Sequence, residues 1–338
     1  MTQLASHEEA FKRDDRGPLA VVICHFNPAL FANPVWNLKR TLAWLNSIDV
    51  PTFAVELRCG KSLTRPPVLP TNHPHVLQLT SRDVFFRKEN LWNLCVSILP
   101  RQYQFVLCLD ADIVLEPASW KDELITKLET SRFVQPFAKA IWLDSLDQPY
   151  REKLSCAKAY VLGLPAPESG KLYHAGFGVA LHRSYWEETS GLYNGPMGEG
   201  ASAFMAASMK ATGTLSGYFE AISTPWRADF HRWAAETERW VGGKISFVEC
   251  EARHFWHGSS KGRRYTWHRP ADDRENRYRQ EWLGHFDPTK DWGHNPDSGV
   301  LEWTDQARLN RKASVLGLEN YFASRLEDDF FDSRSSLN

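Results

Sequence analysis

The chain has 338 residues, of which 43% are hydrophobic and 24% charged, and its net charge at pH 7 is -1. These values are typical of a globular protein with one large α/β domain or two smaller ones, and they exclude a general electrostatic attraction to nucleic acid or anionic membranes. The six cysteines form no Cys-x-x-Cys pair, and no apolar run approaches the ~18 residues that cross a bilayer. We therefore expect a cytoplasmic protein without disulfides.

The first third of the sequence alternates strand and helix patterns. Residues 1–17 are highly charged, lack the apolar core of a signal peptide, and are expected to form a flexible lead-in. The continuous apolar run Leu19–Phe26 predicts a buried parallel strand. Asn33 and Pro34 then supply an N-cap and a first-turn proline for a helix with one apolar face. The next strand is predicted at Thr52–Leu57.

The same alternation continues into the middle of the chain. A short strand is predicted near Val76–Leu79, a helix over Glu89–Leu99, and a third apolar strand within Tyr103–Leu115. The second half is less regular, with a strand pattern at His174–Arg183 and a helix pattern at Gly198–Ala211. This order predicts an α/β fold with a mixed, mostly parallel central sheet and helices on both faces.

Two aspartates follow the apolar run of the third strand. Residues i and i+2 of an extended segment point the same way, so Asp110 and Asp112 can present both carboxylates to one side. Ligands of parallel sheets bind beyond the carboxyl ends of the strands, and two hard oxygen ligands there suit Mg²⁺ or Mn²⁺. An Asp-x-Asp pair occurs roughly once by chance in a chain of this length, so a solvated turn is the alternative. The position after a buried strand favours the metal site.

A second candidate segment lies far downstream. The sequence HFWHGSSKGRRY (His254–Tyr265) contains two histidines with a lysine and two arginines close behind. A metal-bound diphosphate needs an additional metal ligand and cations, which favours His257 as a ligand. His254 lies on the opposite side of an extended segment and is assigned neither to the site nor to the core. The alternative is a histidine packed in the core beside a solvated basic face.

Six segments resemble, in order and spacing, nucleotide-sugar glycosyltransferases of the GT-A fold. The similarity is greatest to a largely uncharacterised phage and bacterial branch related to galactosyltransferases, and it covers about Leu19 to Asp291. It implies transfer of a sugar from a UDP-sugar to an acceptor hydroxyl with Mn²⁺ or Mg²⁺. The segments are HFNP, VEL, FFRKENLWNLCVSILP, LDADIVLEPASW, HGSSKGRRY and FDPTKDW.

The resemblance also implies a domain organisation. A GT-A (Rossmann-like) domain would span residues 18–292, with a nucleotide-binding half at about 18–130 and an acceptor and sugar half at about 131–292. Residues 293–338 would form a C-terminal extension.

Individual roles follow from the positions of these motifs in the family. Asp110 would lie near the ribose and the metal, Asp112 would bind the metal, and His257 would be the late histidine ligand. For Glu56 and Lys88 a surface ion pair is the alternative. The residues implied to frame the nucleoside or the diphosphate are His25, Phe26, Asn27, Glu56, Lys88, Asn93, Lys261 and Arg264.

The sequence departs from the family pattern at Gly198–Ser202. Relatives read Gly-Gly-Gly-Asp-Ser or similar, whereas this chain reads GEGAS and has Ala201 at the position of the acid. An inverting transferase needs a general base for the acceptor hydroxyl, and a retaining one does not need a carboxylate there. Glu199 and Asp144 are the candidate catalytic acids, and a helix cap or loop residue is the alternative for Asp144. A catalytically silent nucleotide-sugar-binding protein is the alternative for the whole chain.

The acceptor is expected to be a saccharide or a cell-envelope glycan. Transfer to modified DNA bases is an alternative, because residues 253–279 are rich in arginine interleaved with Trp and Tyr. Acidic residues in the same stretch dilute its charge. The predicted partners are therefore a nucleotide sugar and a glycan or other hydroxyl acceptor, with nucleic acid as the alternative.

Overall fold

A computed structural model gives the fold of most of the chain. All six cysteines are free thiols. Within the part of the chain that the structure describes, no helix combines the length and the apolar character needed to cross a membrane. The predicted lead-in lies almost wholly outside this part. The described residues are 16–164, 173–195, 200–211, 222–258, 286–331 and 333.

Strands and short helices alternate along the described ranges. The strands are β1 (Leu19–Phe26), β2 (Thr52–Arg58), β3 (Val76–Thr80), β4 (Phe105–Leu109), β5 (Ile113–Glu116), β6 (Phe133–Gln135), β7 (Lys139–Leu143), β8 (Pro149–Ser155), β9 (Tyr173–His174), β10 (Gly178–His182), β11 (Ile245–Phe247), β12 (Glu251–His254), β13 (Trp292–His294) and β14 (Leu301–Trp303). The α-helices are α1 (Ala32–Ser47), α2 (Lys88–Ser97), α3 (Trp120–Thr130), α4 (Cys156–Val161), α5 (Ser184–Glu188), α6 (Gly200–Ser208), α7 (Thr224–Val241), α8 (Asp305–Asn310) and α9 (Lys312–Ala323).

Seven strands form the central sheet in the order β11-β6-β10-β4-β1-β2-β3. All its neighbouring pairs are parallel except the two made by β10, which runs against β4 and β6. The sheet is therefore mixed and mostly parallel, which confirms the predicted fold class. The apolar runs of β1 and β4 lie side by side at its centre.

Both faces of the central sheet are covered by helices. Successive side chains of a strand point to opposite faces, and β1 is apolar throughout. Ala20, Val22 and Cys24 enter a core cluster with side chains of α2, α6 and α7. Val21 and Ile23 enter a second cluster with side chains of α1 and α3. This two-sided burial explains why the strand carries no polar residue until its carboxyl end.

A smaller sheet in the order β5-β12-β7-β8-β9 stands beside the first. Its strand β12 pairs antiparallel with β5 and parallel with β7, so His254 lies opposite Ile113 on one side and Trp142 on the other. Since β5 follows the aspartate pair and β12 precedes His257, this pairing brings the two distant sequence motifs together.

The apolar run Tyr103–Leu115 does not form one strand. It is divided between β4 of the central sheet and β5 of the smaller sheet, and residues 111–112 between them form a turn. The expectation of an extended backbone from Asp110 to Asp112 is therefore wrong. The expectation that Asp110 directly follows a central strand is confirmed.

Helix α1 begins earlier than its sequence signals predict. Its N-cap residue is Phe31 rather than Asn33 and makes no side-chain capping hydrogen bond. The backbone N–H groups of Ala32 and Asn33 donate instead to the carboxylate of Asp328, at 2.9 and 2.8 Å. A carboxylate at this end also complements the helix dipole. The cap is therefore supplied by a segment 295 residues away in the sequence.

The C-terminal part of the chain packs against the start of α2. The guanidinium group of Arg87 is buried and donates to the carbonyl oxygens of Leu301 and Asp83 and, at 3.0 Å, to the hydroxyl of Ser81. Burial lowers the pKa of Arg87 to about 10, so it remains charged at pH 7. Arg308 forms a further ion pair with Asp83 at 2.6 Å. These contacts hold the first turn of α2, which carries Lys88.

Candidate metal centre at the edge of the central sheet

Asp112, His254 and His257 form a cluster of potential metal ligands. Their donor atoms all lie within 4.8 Å of one another. The Oδ2 atom of Asp112 is 3.1 Å from Nε2 of His257 and 3.5 Å from Nε2 of His254. The two imidazole nitrogens are 2.7 Å apart. Three donor atoms this close together can bind one divalent cation.

Strand pairing explains how this cluster forms. Phe255 donates its backbone N–H to the carbonyl oxygen of Asp112 at 2.9 Å, which continues the β5–β12 ladder by one residue. The chain leaves the strand after His254, so His257 returns to the same side. An extended segment would place His254 and His257 on opposite sides, but the strand ends at His254. The His-x-x-His spacing was the signal that could have identified it as a ligand.

The donor set narrows the choice of ion. Carboxylates suit Mg²⁺ and Mn²⁺, whereas imidazoles suit transition metals and are poor ligands for Mg²⁺. Two imidazoles and one carboxylate therefore fit Mn²⁺ better than Mg²⁺, and they also suit Fe²⁺ or Zn²⁺. Of the two predicted ions, Mn²⁺ and Mg²⁺, the three ligands therefore fit Mn²⁺.

Asp110 lies beside this cluster in an ion pair with Lys88. The Nζ atom of Lys88 is 2.8 Å from Oδ1 of Asp110, and their side chains are 15% and 21% exposed. Burial lowers the pKa of Lys88, but the carboxylates of Asp110 and Glu89 raise it above its ordinary value. Its ammonium group also lies 4.6 Å from the ring centre of Trp92. Lys88 is therefore charged and forms a partly buried ion pair with Asp110, two residues before Asp112 in the sequence.

Two buried polar residues, His25 and Asn27, lie at the carboxyl end of β1. Burial lowers the pKa of His25 to about 4, although Glu56 on the neighbouring strand raises it, so the imidazole is neutral at pH 7. Phe26 packs edge-on against Phe86 at 5.8 Å. Asn27 donates to the carbonyl oxygen of Phe31 and accepts from its N–H, which fixes the turn before α1. Contact of these three residues with a nucleoside stays a prediction.

Glu56 and Asn93 use their polar atoms within the protein. The Glu56 carboxylate accepts the backbone N–H groups of Val68 and Leu69, both at 2.8 Å, and is 3% exposed, so the alternative of a surface ion pair is wrong. The Asn93 amide accepts from the indole of Trp186 and from the N–H of Leu192. Both side chains hold loops at the sheet edge. Their direct contact with a nucleotide stays a prediction.

Asp144 is completely buried, with its carboxylate saturated by hydrogen bonds. Oδ1 accepts the N–H groups of Leu146 and Gln148, and Oδ2 accepts the N–H and hydroxyl of Ser333. Burial raises the pKa of Asp144, but these hydrogen bonds outweigh it and lower the pKa to about 2. A general base works best with a pKa near the operating pH. The environment of Asp144 therefore fits the loop role that was the alternative for this residue.

We expect Asp144→Asn to lower the free energy of unfolding by about 1–3 kcal/mol, because the amide leaves the N–H of Ser333 without its acceptor. Turnover should stay within about twofold of wild type if the residue is structural. Because the folded pKa lies below the ordinary 3.8, the stabilisation is present above that value and is lost as the pH falls toward 2. Urea unfolding at several pH values measures it.

The matched control is Asp147→Asn in the same turn, whose carboxylate is half-exposed and paired with Arg40 at 2.9 Å. An exposed pair of this kind contributes at most about 1 kcal/mol. Loss of turnover in Asp144→Asn at an unchanged free energy of unfolding would contradict the structural role and restore Asp144 as a candidate base.

Three predicted site residues lie outside the described part of the chain. They are Glu199, Lys261 and Arg264. Ala201 lies in the first turn of α6. Phe177, which no sequence motif indicates, also lies at the site, with its ring against His254 at a centroid distance of 5.0 Å.

No protein-family model and no curated protein matches the chain. Solved structures with some similarity include the catalytic domain of Drosophila β1,4-galactosyltransferase 7 with xylobiose, at 12% identity and a TM-score of 0.32 over 58% of this chain and 62% of that one. S. aureus TarS 1–349 is 12% identical, with a TM-score of 0.35 over 55% of this chain and 53% of that one. Mannosyl-3-phosphoglycerate synthase from Rubrobacter xylanophilus is 13% identical, with a TM-score of 0.37 over 88% and 87%.

The chain thus covers less than two thirds of the length of the first two structures. With such identities and TM-scores, neither the activity nor the substrates of those proteins pass to this chain. Its function has to follow from its own site.

Proposed function

We propose that the protein is a metal-dependent glycosyltransferase that moves a sugar from a UDP-sugar to a hydroxyl group of a saccharide or cell-envelope glycan. The observation that carries the proposal is the Asp112, His254 and His257 cluster beyond the carboxyl end of the central strand β4. Nucleotides bind at that edge of open α/β sheets. The ion proposed for the cluster is Mn²⁺.

The charges around the cluster suit a nucleotide diphosphate. A divalent cation held by the three ligands would neutralise part of the charge of the leaving diphosphate. Lys88 is a partly buried, charged ammonium group 2.8 Å from Asp110, and we propose that the pair orients the ribose and phosphate end of the donor. Lys261 and Arg264 are proposed to contribute further positive charge.

We also propose a division of the chain. Residues 18 to about 130 would form the nucleotide-binding half, about 131 to 292 the acceptor and sugar half, and 293–338 a C-terminal extension.

The proposed general base is Glu199, because the other candidate, Asp144, has its carboxylate fully occupied by hydrogen bonds. A carboxylate acting as base has to reach the acceptor hydroxyl and keep an oxygen available for its proton. Glu199→Gln should therefore lower transfer while leaving UDP affinity nearly unchanged, and unchanged transfer removes Glu199 from the mechanism.

A DNA acceptor finds little support in the described residues. Most of the basic stretch 253–279 lies outside them. Arg253, which lies inside them, is paired with Glu116 at 2.8 Å and with Glu251 at 3.4 Å, so its charge is compensated. A phosphate-tracking surface needs uncompensated cations. A glycan acceptor is therefore the proposal.

The experiment is donor hydrolysis by the purified protein. UDP-glucose, UDP-galactose and UDP-N-acetylglucosamine are each incubated with the protein and Mn²⁺, Mg²⁺, Zn²⁺ or Fe²⁺, and UDP release is measured. Calorimetry measures UDP binding with and without the ion. Release of UDP that depends on Mn²⁺ supports the proposal. UDP binding without release favours a silent nucleotide-sugar-binding protein, and the absence of both contradicts the proposal.

A further inference from the structure

Phe177 has a strained backbone beside the metal cluster. Its φ angle is +73°, in the left-handed region that bulky residues rarely adopt. Its carbonyl oxygen accepts the backbone N–H of Asp110 at 2.9 Å. The next residue, Gly178, begins β10 and lies opposite Leu109 at the end of β4. This hydrogen bond therefore joins the residue before β10 to Asp110, the first residue of the aspartate pair.

The ring of Phe177 lies against a metal-ligand candidate. It is parallel to the imidazole of His254, with an interplanar angle of 7° and a centroid distance of 5.0 Å. The ring of His174 lies 4.0 Å from Phe177, and Trp142 and Phe137 lie at 5.2 and 5.8 Å. Phe177 is 5% exposed, so its ring has little freedom to move. A ring held in this way limits the plane that the imidazole can adopt.

We propose that Phe177 is a positioning residue for the metal centre. Its carbonyl group fixes the backbone of Asp110 at the end of the central sheet, and its ring fixes the plane of His254 at the end of β12. One residue thereby sets the spacing between ligand-bearing segments of two different sheets. Groups that orient a metal-ligating histidine govern its affinity for the ion. This inference rests on the proposed metal-dependent function.

The test compares Mn²⁺ binding by wild type, Phe177→Leu and Phe137→Leu, without nucleotide, by electron paramagnetic resonance of the free ion. Leucine at position 177 keeps the strained backbone and removes only the flat ring. Phe137 is buried in the same aromatic cluster and lies 5.8 Å from Phe177, which makes its variant a matched control. We expect Phe177→Leu to weaken Mn²⁺ binding about 10-fold or more and Phe137→Leu to change it by less than about twofold.

Equal weakening in both leucine variants, or wild-type affinity in Phe177→Leu, overturns the proposal. Should Phe177→Leu fail to fold, Phe177→Met replaces it, because methionine removes the flat ring and adapts to an irregular apolar space. It should bind Mn²⁺ as weakly as the leucine variant is expected to, and wild-type affinity in Phe177→Met also overturns the role of the ring.

The result separates this inference from the proposed function. If wild type binds none of Mn²⁺, Mg²⁺, Zn²⁺ and Fe²⁺, the metal centre and the positioning role are overturned together. The positioning role alone is overturned if wild type binds Mn²⁺, Asp112→Ala abolishes that binding, and Phe177→Leu binds Mn²⁺ as tightly as wild type.

Discussion

Asp112→Asn is expected to abolish Mn²⁺ binding and to reduce sugar transfer about 10³-fold or more, since a metal contributes several kcal/mol of charge stabilisation. The substitution keeps the size of the side chain and removes the negative charge that lies 3.1 Å from His257 and 3.5 Å from His254. Two neutral imidazoles alone bind a divalent cation far less tightly than the complete set of three ligands.

Thermal unfolding provides the binding measurement that needs no substrate. An ion that binds only the folded state at 100 times its dissociation constant stabilises that state by about 2.7 kcal/mol. The unfolding temperature of wild type should therefore rise with Mn²⁺ and fall back with a chelator. The unfolding temperature of Asp112→Asn should not respond to either addition. Transfer at wild-type rate in Asp112→Asn would show that the cluster is not the metal site.

Asp110→Asn separates the role of Asp110 from that of Asp112. The carboxylate of Asp110 faces Lys88 at 2.8 Å, whereas that of Asp112 faces the two histidines. We therefore expect Asp110→Asn to keep Mn²⁺ affinity in the nucleotide-free protein and to weaken donor binding. Loss of Mn²⁺ binding in both variants would show instead that both carboxylates bind the ion, as the Asp-x-Asp pattern of the sequence predicts.

The sequence predicted the sheet well because its central strands are buried on both faces. The runs at Leu19–Phe26 and Thr52–Leu57 correspond to β1 and β2 almost residue for residue. Continuous apolar runs of this length are a local signal that tertiary contacts rarely override. The position of Asp110 at the end of β4 followed from the same signal.

The parts that could not be predicted depend on contacts between distant segments. The change of sheet after β4 is set by the pairing of β5 with β12, some 140 residues later, and turns Asp110 and Asp112 toward different partners. The position of His254 in the cluster depends on the same pairing. Local periodicity carries no information about which strand a segment pairs with.

The cap of α1 has the same explanation. Asn33 and Pro34 are a sound local signal, but the carboxylate of Asp328 binds the first N–H groups of the helix and moves its start to Ala32. A capping side chain from the far end of the chain leaves no trace in the sequence around the helix. This contact also shows that Asp328 is part of the fold.

Residues 324–331 and 333, here called the C-terminal strap, fix the backbone on both sides of His257. Trp256 stacks on Phe331 at 5.1 Å and donates its indole N–H to the carbonyl oxygen of Asp329. On the other side, Gly258 has a φ angle of +96°, and a Cβ atom there would lie 2.2 Å from the carbonyl oxygen of Leu326. The strap therefore limits where the His257 imidazole can lie.

Ending the chain at Ala323 is expected to lower the free energy of unfolding by about 3 kcal/mol or more, because it removes a helix cap, an aromatic stack and the donors to a buried carboxylate. Mn²⁺ affinity should fall at least about 10-fold, since a ligand held by a mobile loop loses its orientation. Urea unfolding and Mn²⁺ titration of the truncated chain measure the two effects.

Two point variants separate stability from metal binding. Asp328→Ala removes only the cap of α1 and should cost about 1 kcal/mol without changing Mn²⁺ affinity. Gly258→Ala places a Cβ atom against Leu326 and should weaken Mn²⁺ binding even in chains that remain folded. Normal Mn²⁺ affinity in both the truncated chain and Gly258→Ala would mean that β12 alone positions His257. The strap would then serve only to cap α1 and to satisfy Asp144.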